Sequence, residues 1–191
     1  MNLKKNIQTY ISILRGINVS GQKMIKMDAL CKMYASLNLA NVQSYIQSGN
    51  VIFRSRGFND TELETSIQQK IQEDFGFEVP LMVKDLKEFS HVVMNNPFLK
   101  IRKGTEGLHV TFLSRAPDPE NLNKIISASY APDEFKVDGK IIYLHCPNGY
   151  GRTKLTNNFF ESKLKVVATT RNWKTVNELL NMATALSKLE S

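Results

Sequence analysis

The chain has 191 residues, 42% hydrophobic and 23% charged, a balance that fits a globular protein of one or two domains and excludes a disordered or fibrous one. Its 25 basic and 18 acidic residues leave a net charge of +7, which permits an anionic partner, either a phosphorylated metabolite or a nucleic acid. Two cysteines, Cys31 and Cys146, share no short spacing. That excludes a disulfide framework and a CxxC zinc or redox pair, and free thiols point to the cytoplasm.

The basic excess is spread along the chain. Residues 1–104 carry 14 basic and 9 acidic residues, and residues 105–191 carry 11 and 9. No run of like charge marks a binding stripe. Lys4 and Lys5 open the chain as a leader's positive end would. The apolar stretch behind them is broken by Gln8, Thr9 and Ser12, and Arg15 stands where a cleavage site would be. No apolar run approaches the roughly 20 residues of a membrane span, so no membrane partner is expected.

Ile7–Leu14 reads as a strand. A polar loop, 15–23, leads to a helix from Met27 to Leu37, with Met27, Leu30, Tyr34 and Leu37 at helical spacing. Val42–Ile46 and Val51–Arg54 are short strands around the turn signal Ser48-Gly49. Asp60 or Thr61 opens a helix striped by Leu63, Ile67 and Ile71 and closed by Gly76. Val79–Val83 is the fourth strand, and a helix follows to Met94. Asn95-Asn96-Pro97 stops it, and residues 95–106 read as a linker.

The order then repeats. Leu108–Leu113 is a strand, and Pro117-Asp-Pro-Glu120 opens a helix. Two strands flank Asp138-Gly139, the strongest hairpin dipeptide in the chain. A loop, 147–152, leads into a helix through Leu164. Lys165–Thr169 is the last strand, and a closing helix spans Arg171 to about Leu189. Two β-α-β-β-α-β runs define an α+β chain of two tandem ferredoxin-like (split β-α-β) domains with antiparallel sheets and a C-terminal helix. The expected boundaries are 1–94 for the first domain, 95–106 for the linker and 107–191 for the second.

Loop 15–23 is not a phosphate-binding P-loop. Gln22 separates Gly21 from Lys23, and Met24 stands where the hydroxyl should be. In a split β-α-β domain the first two strands run the same way, so their outgoing connections share one end of the sheet. That groups Arg15, Asn18 and Lys23 with Gln47, Ser48 and Asn50. In the second domain the same logic pairs Arg152 and Lys154 with Thr170, Arg171 and Asn172. There Thr170 reads as an N-cap, and Arg171 at the helix start opposes the helix dipole, which an anion would offset. Strand alternation also offers His109, Tyr143 and His145 as a shared face able to stack a base or move a proton.

No metal-ligand spacing is present, and no cofactor is expected. An RNA-recognition signature is absent at Asn50-Val-Ile-Phe-Arg-Ser55. Three functions stay open: binding of an anionic ligand, an enzyme of unknown class, and a protein interaction module whose glycine loops are only turns.

Leu14-Arg-Gly-Ile-Asn-Val19, Gln47-Ser-Gly-Asn-Val51 and Thr170-Arg-Asn-Trp-Lys-Thr-Val176 resemble the signatures of the bacterial family called domain of unknown function 1697. The resemblance extends over essentially the whole chain. It implies two ferredoxin-like domains and brings no established activity. Ser20-Gly21 stands where the family commonly has Gly-Gly.

Overall fold

The structure, a computed structural model, describes residues 7–189. Lys4 and Lys5 lie outside the described residues. The chain forms two compact units. The first runs to His91 and takes back the chain from Glu178 onward; the second is Val92–Asn177.

The first unit contains β1 (Ile7–Leu14), α1 (Met27–Ser36), β2 (Ala40–Tyr45), β3 (Asn50–Arg56), α2 (Asp60–Phe75) and β4 (Leu81–Asp85). The strands are antiparallel in the order β2-β3-β1-β4, which is the split β-α-β arrangement. Alternation along β1 sends Tyr10 and Leu14 into a core with Leu30 and Tyr34 of α1, Val51 and Phe53 of β3, and Leu63, Ile67 and Ile71 of α2. Each such large side chain contributes roughly 1.5–3 kcal/mol by leaving water. Ser12 lies on this same face, and its hydroxyl is 2.8 Å from the Tyr34 hydroxyl. The helix α2 starts at a capping box between Asn59 and Glu62 and ends at Gly76, φ +80°.

The second unit opens in the last turn of α3 (Leu86–Met94) and continues through α4 (Phe98–Ile101). Residues 95–106 thus contain a short helix, whose Phe98 is fully buried. β5 (Leu108–Leu113), α5 (Pro119–Ile126), β6 (Glu134–Asp138), β7 (Ile141–His145), α6 (Asn157–Leu164) and β8 (Ala168–Asn172) follow, and α7 (Trp173–Ser187) closes the chain. The strand order is β6-β7-β5-β8, again antiparallel. The protein is therefore α+β, with two tandem ferredoxin-like domains.

Register decides which side chains share a face. Leu108 pairs with His145, His109 with Leu144 and Val110 with Tyr143. His109 thus lies on the helix-covered face with Ile142 and Leu144, and Tyr143 and His145 lie on the other. The three do not form the shared face expected from alternation. The register follows from the strand ends, where the Cys146 amide donates to the Gly107 carbonyl at 2.8 Å. Gly107 (φ +72°) permits this approach, because a Cβ there would stand 2.6 Å from the Cys146 oxygen. Tyr143 is buried, and its hydroxyl donates to the Val92 carbonyl at 3.1 Å.

Candidate functional site

The first expected cluster is brought together at Asn18, Gln47, Ser48 and Asn50, and most of its bonds go to neighbouring backbone groups. Asn18 (φ +55°) accepts from the Ile25 amide at 2.8 Å. Its Nδ2 donates to the Ile25 and Gln47 carbonyls, each at 2.9 Å. Asn50 Nδ2 donates to the Tyr45 carbonyl at 3.1 Å and to Ser48 Oγ at 3.0 Å. Lys23 Nζ donates to the Glu78 carbonyl at 2.6 Å, and the Arg15 amide donates to the Pro80 carbonyl at 2.8 Å. Gly49 (φ +74°) sits where a Cβ would come within 2.8 Å of Ile17 Cδ1 and Leu14 Cβ. Asn18 and Gly49 therefore splice the β1–α1 loop to the β2–β3 turn, and Asn50 braces the turn itself. Gln47 extends from this junction into solvent.

The second expected cluster separates into two places. Thr170 lies within β8, where its hydroxyl donates to Asn157 Oδ1 and meets Thr111 Oγ1, both at 2.7 Å. Asn172, not Thr170, caps α7, accepting from the Thr175 amide at 2.7 Å. Arg171 is the penultimate residue of β8, ahead of the helix start, and only 8% exposed. Its guanidinium donates to Thr169 Oγ1 at 2.9 Å and to the Thr170 carbonyl at 3.0 Å. The strand ends at Asn172, three residues beyond the Thr169 its apolar pattern suggests, which moves the helix start from Arg171 to Trp173.

Arg152 and Lys154 belong to the opposite side of the sheet. With Asn148 they line a concavity of about 430 Å³ whose far wall is the α5–β6 loop, Ser129 to Asp133. That loop leads into β6, three strand positions from β8, or about 14 Å at ordinary strand spacing. Both cations are exposed, and neither makes an ion pair among the described residues. Between them Thr153 anchors the loop. Its hydroxyl donates to Asp133 Oδ2 at 2.6 Å and accepts from the Leu155 amide at 3.0 Å. Asn148 shares its loop with Arg152, but the Ser129–Asp133 wall was not legible as a partner of Arg152, because only the fold brings the α5–β6 loop alongside.

Burial moves His109, His145, Tyr143 and Cys146 away from proton transfer near neutrality. It pushes His109 below the ordinary histidine range, partly opposed by the Gly107 carbonyl at 3.1 Å. His145 is lowered by burial and then by the Arg102 charge, against the pull of Glu134 and Asp133. Tyr143 is pushed up to about 12 by burial and the Asp138 charge. The buried Cys146 thiol is raised as well, mainly by burial, which makes it a poor nucleophile. In the first unit Asp60 is raised to about 6, first by burial and then by the hydrogen bond and charge of Glu88. Among the described residues no cluster of three or more His, Cys, Asp or Glu side chains could hold a metal ion, and no helix is long and apolar enough to cross a membrane.

The fold defines an α+β protein of two tandem ferredoxin-like domains. The chain belongs to the family described as protein of unknown function (DUF1697), whose model matches residues 7–143. It is similar to a solved structure, that of the conserved bacterial protein SP0830 from Streptococcus pneumoniae. The two are 23% identical, the match covers 93% of this chain and 99% of that one, and the TM-score is 0.75. That likeness concerns the fold. No curated protein matches the chain.

Proposed function

We propose that this protein binds a small phosphorylated metabolite in the concavity formed by Asn148, Arg152, Lys154 and the Ser129–Asp133 loop. The observation that carries the reading is the pair of exposed cations on one loop, without carboxylate partners, facing a space of about 430 Å³. That volume is on the scale of small-molecule pockets, roughly 300–1,000 Å³. An arginine fork and a lysine ammonium suit phosphate oxygens. Asn148 adds a side chain that donates and accepts, and the Asp133 carboxylate at the other wall favours a ligand that also carries hydroxyl donors. The Thr153 anchor preorganises the loop, which lowers the ordering cost of binding.

A nucleic-acid ligand is the weaker reading. Stacking on a ferredoxin-like sheet needs exposed aromatics on its strands, whereas Phe53, Phe112 and Tyr143 are buried. The enzyme reading loses its proton-transfer trio to the register described above. The site belongs to the second domain as we delimit it, residues 107–191, reached through a linker at 95–106. Two free cysteines, Cys31 and Cys146, fit a cytoplasmic working place.

Thermal unfolding with inorganic phosphate and glucose 6-phosphate at low salt tests this. A ligand at 100 times its dissociation constant stabilises by about 2.7 kcal/mol. Arg152→Ala and Lys154→Ala are expected to fold normally, since both side chains are exposed, and each to weaken binding about tenfold, the equivalent of one charge-assisted hydrogen bond. Absence of any stabilisation, or one that the double variant retains, refutes the site. A steep salt dependence with an RNA oligomer would favour the nucleic-acid reading instead.

A further inference from the structure

The two sheets present four outer edges, β2, β4, β6 and β8, and an unpaired strand edge invites another strand. Three of them carry a device against this. β2 is bulged, with a register shift between Ala40 and Gln43 and Asn41 at φ +53°. The β4 edge is occupied by Glu64, whose Oε1 accepts from the Val83 amide at 2.8 Å. The β8 edge is occupied likewise by Glu161, which accepts from the Ala168 amide at 3.1 Å.

β6 has no such device. Its hairpin is a two-residue turn, Gly139-Lys140, closed by the Asp138–Ile141 pair. Alternation from that pair turns the backbone groups of Glu134, Lys136 and Asp138 toward β7 and those of Phe135 and Val137 outward. No side chain occupies the Phe135 or Val137 amide among the described residues. Beside this edge runs a groove of about 450 Å³ lined by Leu122 and Ile126 of α5 with Phe135 and Val137 of β6. Ile126 is 56% exposed.

We propose that the β6 edge pairs, antiparallel and centred on Val137, with the β6 edge of a second copy of this chain. The charges select both partner and register. One face of the strand reads Glu134, Lys136, Asp138, with Lys140 in the turn beyond. Antiparallel pairing about Val137 sets Lys136 against Asp138 of the other copy, twice. Pairing about Lys136 sets lysine against lysine and Glu134 against Asp138, which is repulsive throughout. Pairing about Phe135 depends on Glu134, which Arg102 already holds. The two-fold axis stands perpendicular to the joined sheet, so the two α5 helices lie on one face, and Ile126 of each copy approaches the groove.

Sedimentation velocity on the full chain tests this over about 5–500 µM, a wide range because a five-residue edge with one helix falls below the ~1,200 Å² of stable complexes. The weight-average mass is expected to rise from 21.7 kDa toward twice that. Lys136→Glu and Asp138→Lys are each expected to weaken association at least tenfold. Their equimolar mixture should restore it, because residue 136 of one then faces an opposite charge at 138 of the other. Val137→Pro removes an outward amide and should abolish association. Circular dichroism confirms that each variant is folded. A monomeric mass throughout overturns the proposal. So does a dimer that all three variants leave intact, or a mixture that associates no better than either variant alone.

Discussion

Replacing Asn18 by alanine removes three hydrogen bonds at once, two donated by Nδ2 to the Ile25 and Gln47 carbonyls and one accepted from the Ile25 amide. Each is worth about 1 kcal/mol net, less for the solvent-facing bond to Gln47. Asparagine also tolerates φ +55°, where alanine incurs about 1 kcal/mol of additional strain. The sum is a loss of about 3 kcal/mol, a large share of the ~5–15 kcal/mol available to a domain. Urea unfolding followed by far-UV circular dichroism measures it. Exchange of the Ile25 amide, which loses its acceptor, should quicken in parallel. Asn18→Asp should cost at least as much, because its carboxylate would face two carbonyl oxygens. A loss below about 0.5 kcal/mol would refute the assignment of Asn18 as the splice between loop and turn.

Gly49→Ala should cost about 2–4 kcal/mol, joining left-handed strain to a clash with Ile17 and Leu14. Gly21→Ala, at φ +74° with nothing within 4 Å, should cost only about 1–2 kcal/mol, the backbone part, and equal losses in urea melts would remove the clash from the account. Asp60 is raised to about 6 when folded, so the native state holds the extra proton between pH 3.8 and 6 and stability falls as pH rises through that window. Since Asp60 is partly exposed, screening reduces the effect to about 1 kcal/mol. Asp60→Asn should gain on the wild type by that amount between pH 4 and 7 in parallel melts, and a constant difference would contradict the shift. Arg171→Ala should destabilise by about 2–4 kcal/mol through lost packing and hydrogen bonds. Phosphate affinity of the still-folded protein should not change, and a selective loss of binding would return Arg171 to the site.

Both ferredoxin-like domains were legible because their turn and cap signals are local. Gly76 ends α2, Ser48-Gly49 lies in the β2–β3 turn, and Asp138-Gly139 opens the β6–β7 turn. Much of the site chemistry was not legible, because it depends on pairings distant in sequence. His109 looked like a neighbour of Tyr143 and His145 until the Gly107–Cys146 contact set the register one residue away. Arg171 looked like a helix-start cation because its strand carries threonines rather than aliphatic residues, and such a strand has a weak apolar signal. Asn18 and Asn50 looked like ligand groups, and backbone carbonyls up to 29 residues away take up their donors. Arg152 and Lys154 remain directed at open space, and no residue within their own loop marks Ser129–Asp133 as the opposite wall.

Amide chemical-shift mapping with glucose 6-phosphate tests the central claim most directly, since it reads position as well as binding. The account predicts saturable shifts confined to residues 148–154 and 129–133, absent in the Arg152→Ala, Lys154→Ala double variant. Shifts centred on residues 15–23 and 45–50, or none at millimolar ligand, would contradict it.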